Sequence, residues 1–412
     1  MKRTRSTWTS KLLSLIIFCL MFLPGRAWAE ESKLEINAKS YIVMDFESGA
    51  ILEEKQMDEA RPPASMTKMM SEFVVLDLIK EGKLKWEDQV TVSPRAAAIQ
   101  EASIGLRAGE KETVKELFIA MAVQSANDAT VVLAEHIGES EEKFVDMMNQ
   151  KAKELGMNHT HYCYSTGLEK HLYPDPPQCD GKHVMSARDS AILAKELMKE
   201  HPDVLEITSI PNYTFGKGTS REMKVPNWNF MLPGSQVEYD GVDGVKTGYT
   251  DAAGYCFTGT AQRGSYRLVT VVMGTNSQIN RFKETAKLLD YGFQEFEFQN
   301  LVPENKPIPK YEELSLPNGV EREVPVVAKT NVQLPTHKNE QDQYEIKVTY
   351  KPNLQAPINA GTVVGEAQVL YKGKEIPGME PVEVITQTDI EEGSWFRLFF
   401  RDVGDTISDW FE

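Results

Sequence analysis

The spacing of hydrophobic and polar residues predicts both strands and helices in the first two thirds of the chain. Alternating residues at Ser40–Asp45 and at 50–52, separated by a turn, predict a β-hairpin. A nearly unbroken apolar run at 69–79 predicts a buried helix, because it is longer than a typical strand. Pro62 and Pro63 disfavour helix in the residues before them, so the helix should begin near position 64 or 65.

Further segments extend this pattern. Helices are predicted at 115–123 and 186–198, and another should begin near Asp128. The Pro-rich segment 173–181 has no regular period and is predicted to be a surface loop. Successive antiparallel strands are predicted at 241–249, 254–260 and 267–274. These elements predict a mixed α+β domain.

The pattern changes after a Pro- and Lys-rich segment at 297–310. Short alternating strands then follow at 324–328, 344–350, 362–371 and 382–388. They predict a second, all-β domain of about ninety residues, which is a usual domain size. No catalytic grouping is visible in it, so we expect it to provide support, spacing or protein contact.

Residues 393–412 predict an amphipathic helix at the end of the chain. Its apolar face carries Phe396, Phe399, Phe400, Val403, Ile407, Trp410 and Phe411, and its polar face carries Arg397, Arg401, Asp402, Asp405 and Asp409. Such a helix is typical of a segment that lies on a membrane surface. The alternative is a helix that packs against its own protein.

The first 29 residues have the three-part pattern of a secretory signal peptide. Basic residues precede an apolar run at 12–23, and Ala27-Trp28-Ala29 forms a small-x-small cleavage site. A transmembrane anchor is the alternative, but the run is short for a bilayer span. Cleavage after Ala29 removes five basic and no acidic residues, so the formal net charge moves from −16 to −21. An acidic, exported chain argues against nucleic acid as a partner.

Three cysteines remain after removal of the signal peptide, an odd number at irregular spacing. A bridge between Cys163 and Cys179 is one interpretation; we favour three buried thiols, which include Cys256. His159 and His161 have no second pair at metal-ligand spacing, so neither a metal nor a cofactor is expected.

Ser65 and Lys68 form a Ser-x-x-Lys pair at the predicted start of the first helix. Residues three positions apart lie on nearly the same helical face, so the hydroxyl and the amine should stand side by side. The serine would also lie in the positive field of the helix N-terminus. The pair is a candidate nucleophile and base, although such spacing arises by chance about once in a chain of this length.

Two further polar motifs follow. Ser125-Ala126-Asn127 lies between two predicted helices, where a scaffold would fix a working polar pair; the alternative is a helix cap. Lys246-Thr247-Gly248 lies at the start of the antiparallel strands, and Gly248 would let a ligand approach the strand backbone closely. Together and in this order, the three motifs are much more specific than any one alone.

With these motifs, the chain resembles the penicillin-binding proteins and class A β-lactamases, and within them the low-molecular-mass D-alanyl-D-alanine carboxypeptidases. The resemblance implies a multi-domain α+β protein: an antiparallel sheet with helices on its faces and a helical subdomain, a small all-β domain, and an anchor helix. We expect a signal peptide at 1–29, a catalytic domain at 30–298, a β-rich domain at 299–390 and a membrane-anchoring helix at 391–412.

The resemblance also implies a serine acyl-transfer reaction. Ser65 would attack the carbonyl between two D-alanines, release the terminal D-alanine and hold the remaining peptide as an ester until water removes it. Lys68 would be the general base, with a pKa lowered by burial and by Lys246. Ser125 would relay protons to the leaving amine, and Asn127 would hold the substrate's backbone amide.

Substrate-binding residues are implied in the same way. Lys246, Thr247 and Gly248 would bind the terminal carboxylate, and the backbone N–H groups of Ser65 and Tyr249 would form an oxyanion hole.

Two further residues match the family outside the three motifs. Arg281 matches an arginine aimed at the substrate carboxylate; its alternative is a surface salt bridge. His183 matches a histidine at the edge of the site. The Pro-rich loop before His183 departs from the commoner pattern in its length.

The expected substrates are peptidoglycan stem peptides, with β-lactam antibiotics as covalent inhibitors, at the outer face of the cytoplasmic membrane. A β-lactamase would need a glutamate for deacylation, and no Glu-x-x-x-Asn element occurs at 162–183. An endopeptidase that uses the same chemistry stays open. A non-catalytic cell-wall scaffold would not need the serine and lysine motifs.

Overall fold

The structure is a computed structural model that describes residues 34–408. The predicted signal peptide lies outside the described residues, as do residues 409–412. The described residues from Ile36 onward form one compact unit. Within residues 34–408, no helix has the length and apolar character needed to span a bilayer.

The first part of this unit combines nine strands with eight α-helices among the described residues. The strands are β1 Ser40–Asp45, β2 Ile51–Lys55, β3 Gln89–Thr91, β4 Lys111–Thr113, β5 Asn212–Phe215, β6 Met223–Pro226, β7 Val242–Thr250, β8 Gly254–Arg263 and β9 Tyr266–Thr275. The helices are α1 Lys68–Lys80, α2 Pro94–Ala97, α3 Val114–Ile119, α4 Asn127–Gly138, α5 Glu141–Glu154, α6 Ala187–Glu200, α7 Val204–Thr208 and α8 Gln278–Glu295.

A five-stranded antiparallel sheet, in the order β2-β1-β9-β8-β7, organises this part. Neighbouring residues of a strand point to opposite faces. Thr258 of β8 reaches Ser190 of α6, with 2.7 Å between their hydroxyl oxygens, whereas Phe257 packs against Phe282 of α8. Helices therefore cover both faces of the sheet, as expected.

The apolar run after Lys68 forms the predicted buried helix. Met69, Met70 and Phe73 of α1 are fully buried, in a core shared with the helices α3–α5. The α-helix begins at Lys68 and is preceded by a 3₁₀ turn at Ala64–Thr67. The predicted helix start, near position 64 or 65, is therefore the start of the 3₁₀ turn, and the α-helix itself begins at Lys68.

The second part is β-rich, as predicted. Its strands are β10 Phe296–Val302, β11 Glu313–Ser315, β12 Glu323–Ala328, β13 Val332–His337, β14 Tyr344–Tyr350, β15 Val363–Tyr371, β16 Lys374–Glu375 and β17 Val382–Thr386. Strand β10 pairs with β13, and the other six form a second sheet around a separate apolar core. The sequence interpretation missed β10, because its alternating residues run into the Pro- and Lys-rich segment.

The last described helix, α9, spans Trp395–Ser408. Its aromatic residues face solvent: the exposed fractions of Phe396 and Phe400 are 67% and 68%. Its polar face contacts the protein, because Arg397 and Arg401 donate hydrogen bonds to backbone carbonyls of the turn before β12. The helix therefore docks through its polar side and leaves its apolar side uncovered.

Candidate active site

Ser65 lies in a tight turn whose backbone is closely enclosed. Ala64, just before it, has φ +49°, a conformation that residues other than glycine rarely adopt. A Cβ on Gly167 would overlap the Ala64 carbonyl oxygen, and a Cβ on Gly248 would lie 2.8 Å from the Pro63 carbonyl oxygen. The close approach that Gly248 permits is therefore made by the protein's own backbone, and not only by a ligand.

Lys68 is fully buried beside Ser65. Its Nζ lies 3.0 Å from Ser65 Oγ, 2.6 Å from Asn127 Oδ1 and 2.9 Å from the Thr166 carbonyl oxygen. The amide oxygen and the carbonyl can only accept hydrogen bonds. Burial, followed by the charge of Lys246, holds the pKa of Lys68 well below its usual range. A neutral amine in this place would give its two hydrogens to the two acceptors and leave its lone pair for the Ser65 hydroxyl proton.

The Ser125-Ala126-Asn127 segment connects a π-helical turn, Ala120–Gln124, to α4. Asn127 Nδ2 donates to the Glu101 carbonyl oxygen at 2.7 Å, and this fixes the amide so that Oδ1 faces Lys68. Ser125 has φ +64°, and its Oγ has no hydrogen-bond partner among the described residues. The hydroxyl is therefore available to a bound substrate.

Strand β7 and helix α8 each bring one cationic group to the site. Lys246 is almost completely buried, which lowers its pKa to about 8; Arg281 adds to this effect and Glu72 opposes it. Arg281 on α8 is also buried, and its Nη1 donates to the Gly248 carbonyl oxygen at 3.2 Å. Burial lowers the pKa of Arg281 to about 10. Arg281 is thus part of the site and not a surface salt bridge.

A cavity of ≈ 520 Å³ opens in front of these groups. The predicted site residues that line it are Ser65, Ser125, Asn127, Thr247, Gly248, Tyr249 and Arg281. The segment 167–172 and Trp228 form other parts of its wall. Lys68 and Lys246 lie behind the wall, where burial disfavours their charged forms.

His183 is placed differently from the expectation. It does not line the cavity; its Nε2 lies 2.8 Å from Thr67 Oγ1, and its Nδ1 accepts from the Cys163 N–H at 3.0 Å. Withdrawal of the ring nitrogens from water, followed by the charges of His161 and Lys68, lowers the pKa of His183 to about 3. A neutral His183 supports the turn of Ser65 from behind and has no contact with the cavity.

Cys163 and Cys179 form a disulfide, and Cys256 is a buried free thiol. The preference for three free thiols was therefore wrong: two cysteines 16 positions apart meet because the intervening segment folds back as a loop. This loop contributes the Thr166 carbonyl and the wall segment 167–172.

The predicted surface loop 173–181 is irregular but anchored at its start. Tyr173 is buried, and its hydroxyl lies 2.5 Å from Thr166 Oγ1 and donates to Glu141 at 3.1 Å. The prediction of an exposed loop is thus wrong for this residue, because its ring fills the core beneath the cavity rim.

Two other groups at the site were missed from the sequence. Thr166 acts through its backbone carbonyl, which leaves no side-chain signature. Glu72 is fully buried one helical turn after Lys68. An acid at i+4 from Lys68 in an apolar run was the signal that could have identified it.

Comparison with known proteins shows the family. A family model described as D-alanyl-D-alanine carboxypeptidase matches residues 27–277. The chain belongs to this carboxypeptidase family. A second model, described as the C-terminal domain of penicillin-binding protein 5, matches residues 296–392 of the carboxypeptidase.

Individual relatives agree with these matches. The D-alanyl-D-alanine carboxypeptidase DacF of Bacillus subtilis is 34% identical over 412 residues, covering 98% of this chain and 99% of DacF. The crystal structure of penicillin binding protein 5 from Haemophilus influenzae superposes with a TM-score of 0.74 at 31% identity, covering 87% of this chain and 98% of that one.

A third match is to a protein with a bound antibiotic. Penicillin-binding protein D2 from Listeria monocytogenes, solved in the ampicillin-bound form, gives a TM-score of 0.55 at 34% identity, covering 63% of this chain and 99% of that one. Together the comparisons confirm the fold class, the family and the serine carboxypeptidase class that the three motifs predicted.

Proposed function

We propose that the carboxypeptidase removes the terminal D-alanine from peptidoglycan stem peptides through an ester on Ser65. The observation that supports this most directly is the 3.0 Å separation of Lys68 Nζ and Ser65 Oγ, with Nζ also facing two obligate acceptors. This arrangement suits a neutral amine that takes the serine proton.

In the proposed first step, Ser65 Oγ bonds to the carbonyl carbon between the two D-alanines and its proton passes to Lys68. The C–N bond then breaks, and the proton on Lys68 passes to the leaving amine through Ser125, whose hydroxyl has no other partner among the described residues. This transfer restores the neutral amine of Lys68. In the second step, water gives a proton to the Lys68 amine and attacks the ester carbonyl. The ester C–O bond breaks as the proton passes from Lys68 to Ser65 Oγ, which frees Ser65, the neutral Lys68 and the shortened peptide.

Substrate binding is proposed to depend on charge. The terminal carboxylate would bind to Thr247 and Arg281, which line the cavity, and to Lys246, which is buried behind the cavity wall. Backbone N–H groups of Ser65 and Tyr249 would hold the oxyanion. Asn127 would hold the backbone amide of the peptide as well as orient Lys68.

β-Lactams are proposed as covalent inhibitors of the same serine. The Listeria relative was solved with ampicillin bound, and a strained lactam carbonyl in the cavity would acylate Ser65 by the first step alone.

The domain boundaries and the location of the protein are also proposals. Export by residues 1–29, a catalytic domain at 30–298, a β-rich domain at 299–390 and a membrane helix at 391–412 would place the enzyme at the outer face of the cytoplasmic membrane. The uncovered aromatic face of α9 supports surface attachment.

Acylation by benzylpenicillin, followed by intact-mass measurement, tests the assignment of Ser65. We expect a single adduct on the mature protein, none on Ser65→Ala, and an adduct on Ser71→Ala, a control at a serine of α1 six residues further along the chain. An adduct on Ser65→Ala would contradict the assignment.

A further inference from the structure

Glu72 is a buried acid that the reaction described above does not use. It lies four positions after Lys68 on α1, so both side chains project from the same face of the helix. Its side chain is fully buried, and neither carboxylate oxygen has a hydrogen-bond partner among the described residues. Buried carboxylates are normally hydrogen-bonded or paired, so an unpartnered one calls for an explanation.

The charges around Glu72 supply that explanation. Its strongest electrostatic neighbour is Lys246 of β7, followed by Lys68 of its own helix. Burial raises the pKa of Glu72 to about 7, and the two lysines oppose this rise. Glu72 in turn favours the protonated form of Lys246. It acts in the same direction on Lys68, but there burial and the charge of Lys246 outweigh it and the pKa of Lys68 stays lowered.

The reaction requires different charge states of the two lysines. Lys68 must be neutral to accept the serine proton, whereas Lys246 must be protonated to bind the substrate carboxylate. When Glu72 is ionised, the enzyme with bound substrate contains two cations, Lys246 and Arg281. It also contains two anions, Glu72 and the substrate carboxylate. Buried charges are stable only when they are balanced in this way.

We propose that Glu72 is a positioning residue, the buried counter-charge that keeps Lys246 protonated for the substrate carboxylate while Lys68 stays neutral. The proposal rests on the roles assigned above to the two lysines. Besides Glu72, the charged groups that act on Lys246 or Lys68 from neighbouring elements are Arg281 of α8, Asp128 of α4 and Glu141 of α5.

The test is the pH dependence of KM for a peptide ending in D-Ala-D-Ala, measured between pH 6 and 10 on the mature protein. Glu72→Gln removes the charge and keeps the shape, and Glu72→Asp keeps the charge. We expect KM of Glu72→Gln to rise at a pH about one unit lower than in the wild type, the smallest shift usual for a close opposite charge. Glu72→Asp should move the curve by less than half as much.

A merely structural role would lower kcat at every pH and leave the KM curve in place, and that result would overturn the proposal. If Glu72→Gln does not fold, Glu72→Met removes the charge without a buried amide and should show the same shift. Failure of both neutral variants to fold, with Glu72→Asp folded, would assign Glu72 to folding and also overturn the proposal. Absence of D-alanine release from the wild type would instead refute the proposed function.

Discussion

His183 Nε2 and Thr67 Oγ1 lie 2.8 Å apart, so the imidazole supports the turn that carries Ser65. Because His183 Nδ1 accepts from the Cys163 N–H, Nε2 is the donor to Thr67. Thr67 Oγ1 then donates to the Ala64 carbonyl oxygen at 2.7 Å. The chain of contacts joins the disulfide-closed loop to the nucleophile turn.

His183→Ala should therefore loosen the turn without touching the substrate. Loss of the hydrogen bonds to Thr67 and Cys163 should lower the free energy of unfolding by about 2 kcal/mol, a usual cost for unpaired buried groups. We expect kcat to fall while KM changes little, because Lys246 and Arg281 are unaffected. Denaturant unfolding and steady-state kinetics measure both, with His136→Ala, an exposed histidine of α4 that does not line the cavity, as a control. If the stability and kcat of His183→Ala are unchanged, the hydrogen bond from His183 to Thr67 does not support the turn of Ser65.

Substrate binding should weaken at alkaline pH. The pKa of Lys246 is about 8, so its positive charge is present below that pH and is lost as the pH rises through it. KM for the peptide should then rise above about pH 8, while kcat stays more nearly constant. The matched control is Lys246→Arg, which should keep its charge; its KM should be higher but nearly independent of pH up to about pH 9, below the pKa of about 10 of Arg281. A wild-type KM that is flat from pH 7 to 10 would contradict the assigned role.

Reduction of the Cys163–Cys179 disulfide should affect both stability and activity. The bridge closes a loop of 16 positions, for which loop-closure entropy predicts about 3 kcal/mol of stabilisation. The loop carries the Thr166 carbonyl that contacts Lys68, so kcat/KM should fall severalfold in the Cys163→Ser, Cys179→Ser double variant. Cys256→Ser, at a free thiol, is the control and should retain the wild-type response to reductant. Equal activity of the double variant and the wild type would refute the coupling.

Membrane binding by α9 should depend on its uncovered aromatic face. Replacing Phe399 and Phe400 by Asp places charge in that face and should abolish co-sedimentation with phosphatidylglycerol-containing vesicles. The control is Arg397→Ala, on the face that contacts the protein through Val320. Arg397→Ala should weaken the contact between α9 and the rest of the protein but preserve co-sedimentation with the vesicles. If the double Asp variant still sediments with vesicles, the attachment lies elsewhere.

How far the sequence predicted the structure depended on the range of each interaction. The buried helix and the proximity of Ser65 and Lys68 follow from the helical period, which is local. The meeting of Lys68, Asn127 and Lys246 is non-local, and only the resemblance to a family indicated it. The disulfide was interpreted incorrectly for the same reason: nothing in the sequence specifies how a loop folds back.

His183 and Glu72 show two other limits. The resemblance to the family identified His183 by its position along the chain, but it did not show which groups hydrogen-bond to the two ring nitrogens. Glu72 was overlooked because an acid inside an apolar run was treated as part of a helix pattern, although its spacing from Lys68 was visible. In both cases the three-dimensional surroundings of the side chain, which the sequence does not show, indicate its role.

The most direct test is the release of D-alanine from a peptide ending in D-Ala-D-Ala by the mature protein, with Lys68→Ala measured in parallel. We expect steady release by the wild type and a rate reduced by about 10² to 10⁴ in the variant, the usual contribution of a general base. Equal rates in the two proteins would contradict the assignment of Lys68. No release by the wild type, with Ser65 still acylated by penicillin, would show that the natural substrate is a different one, such as a cross-linked peptide.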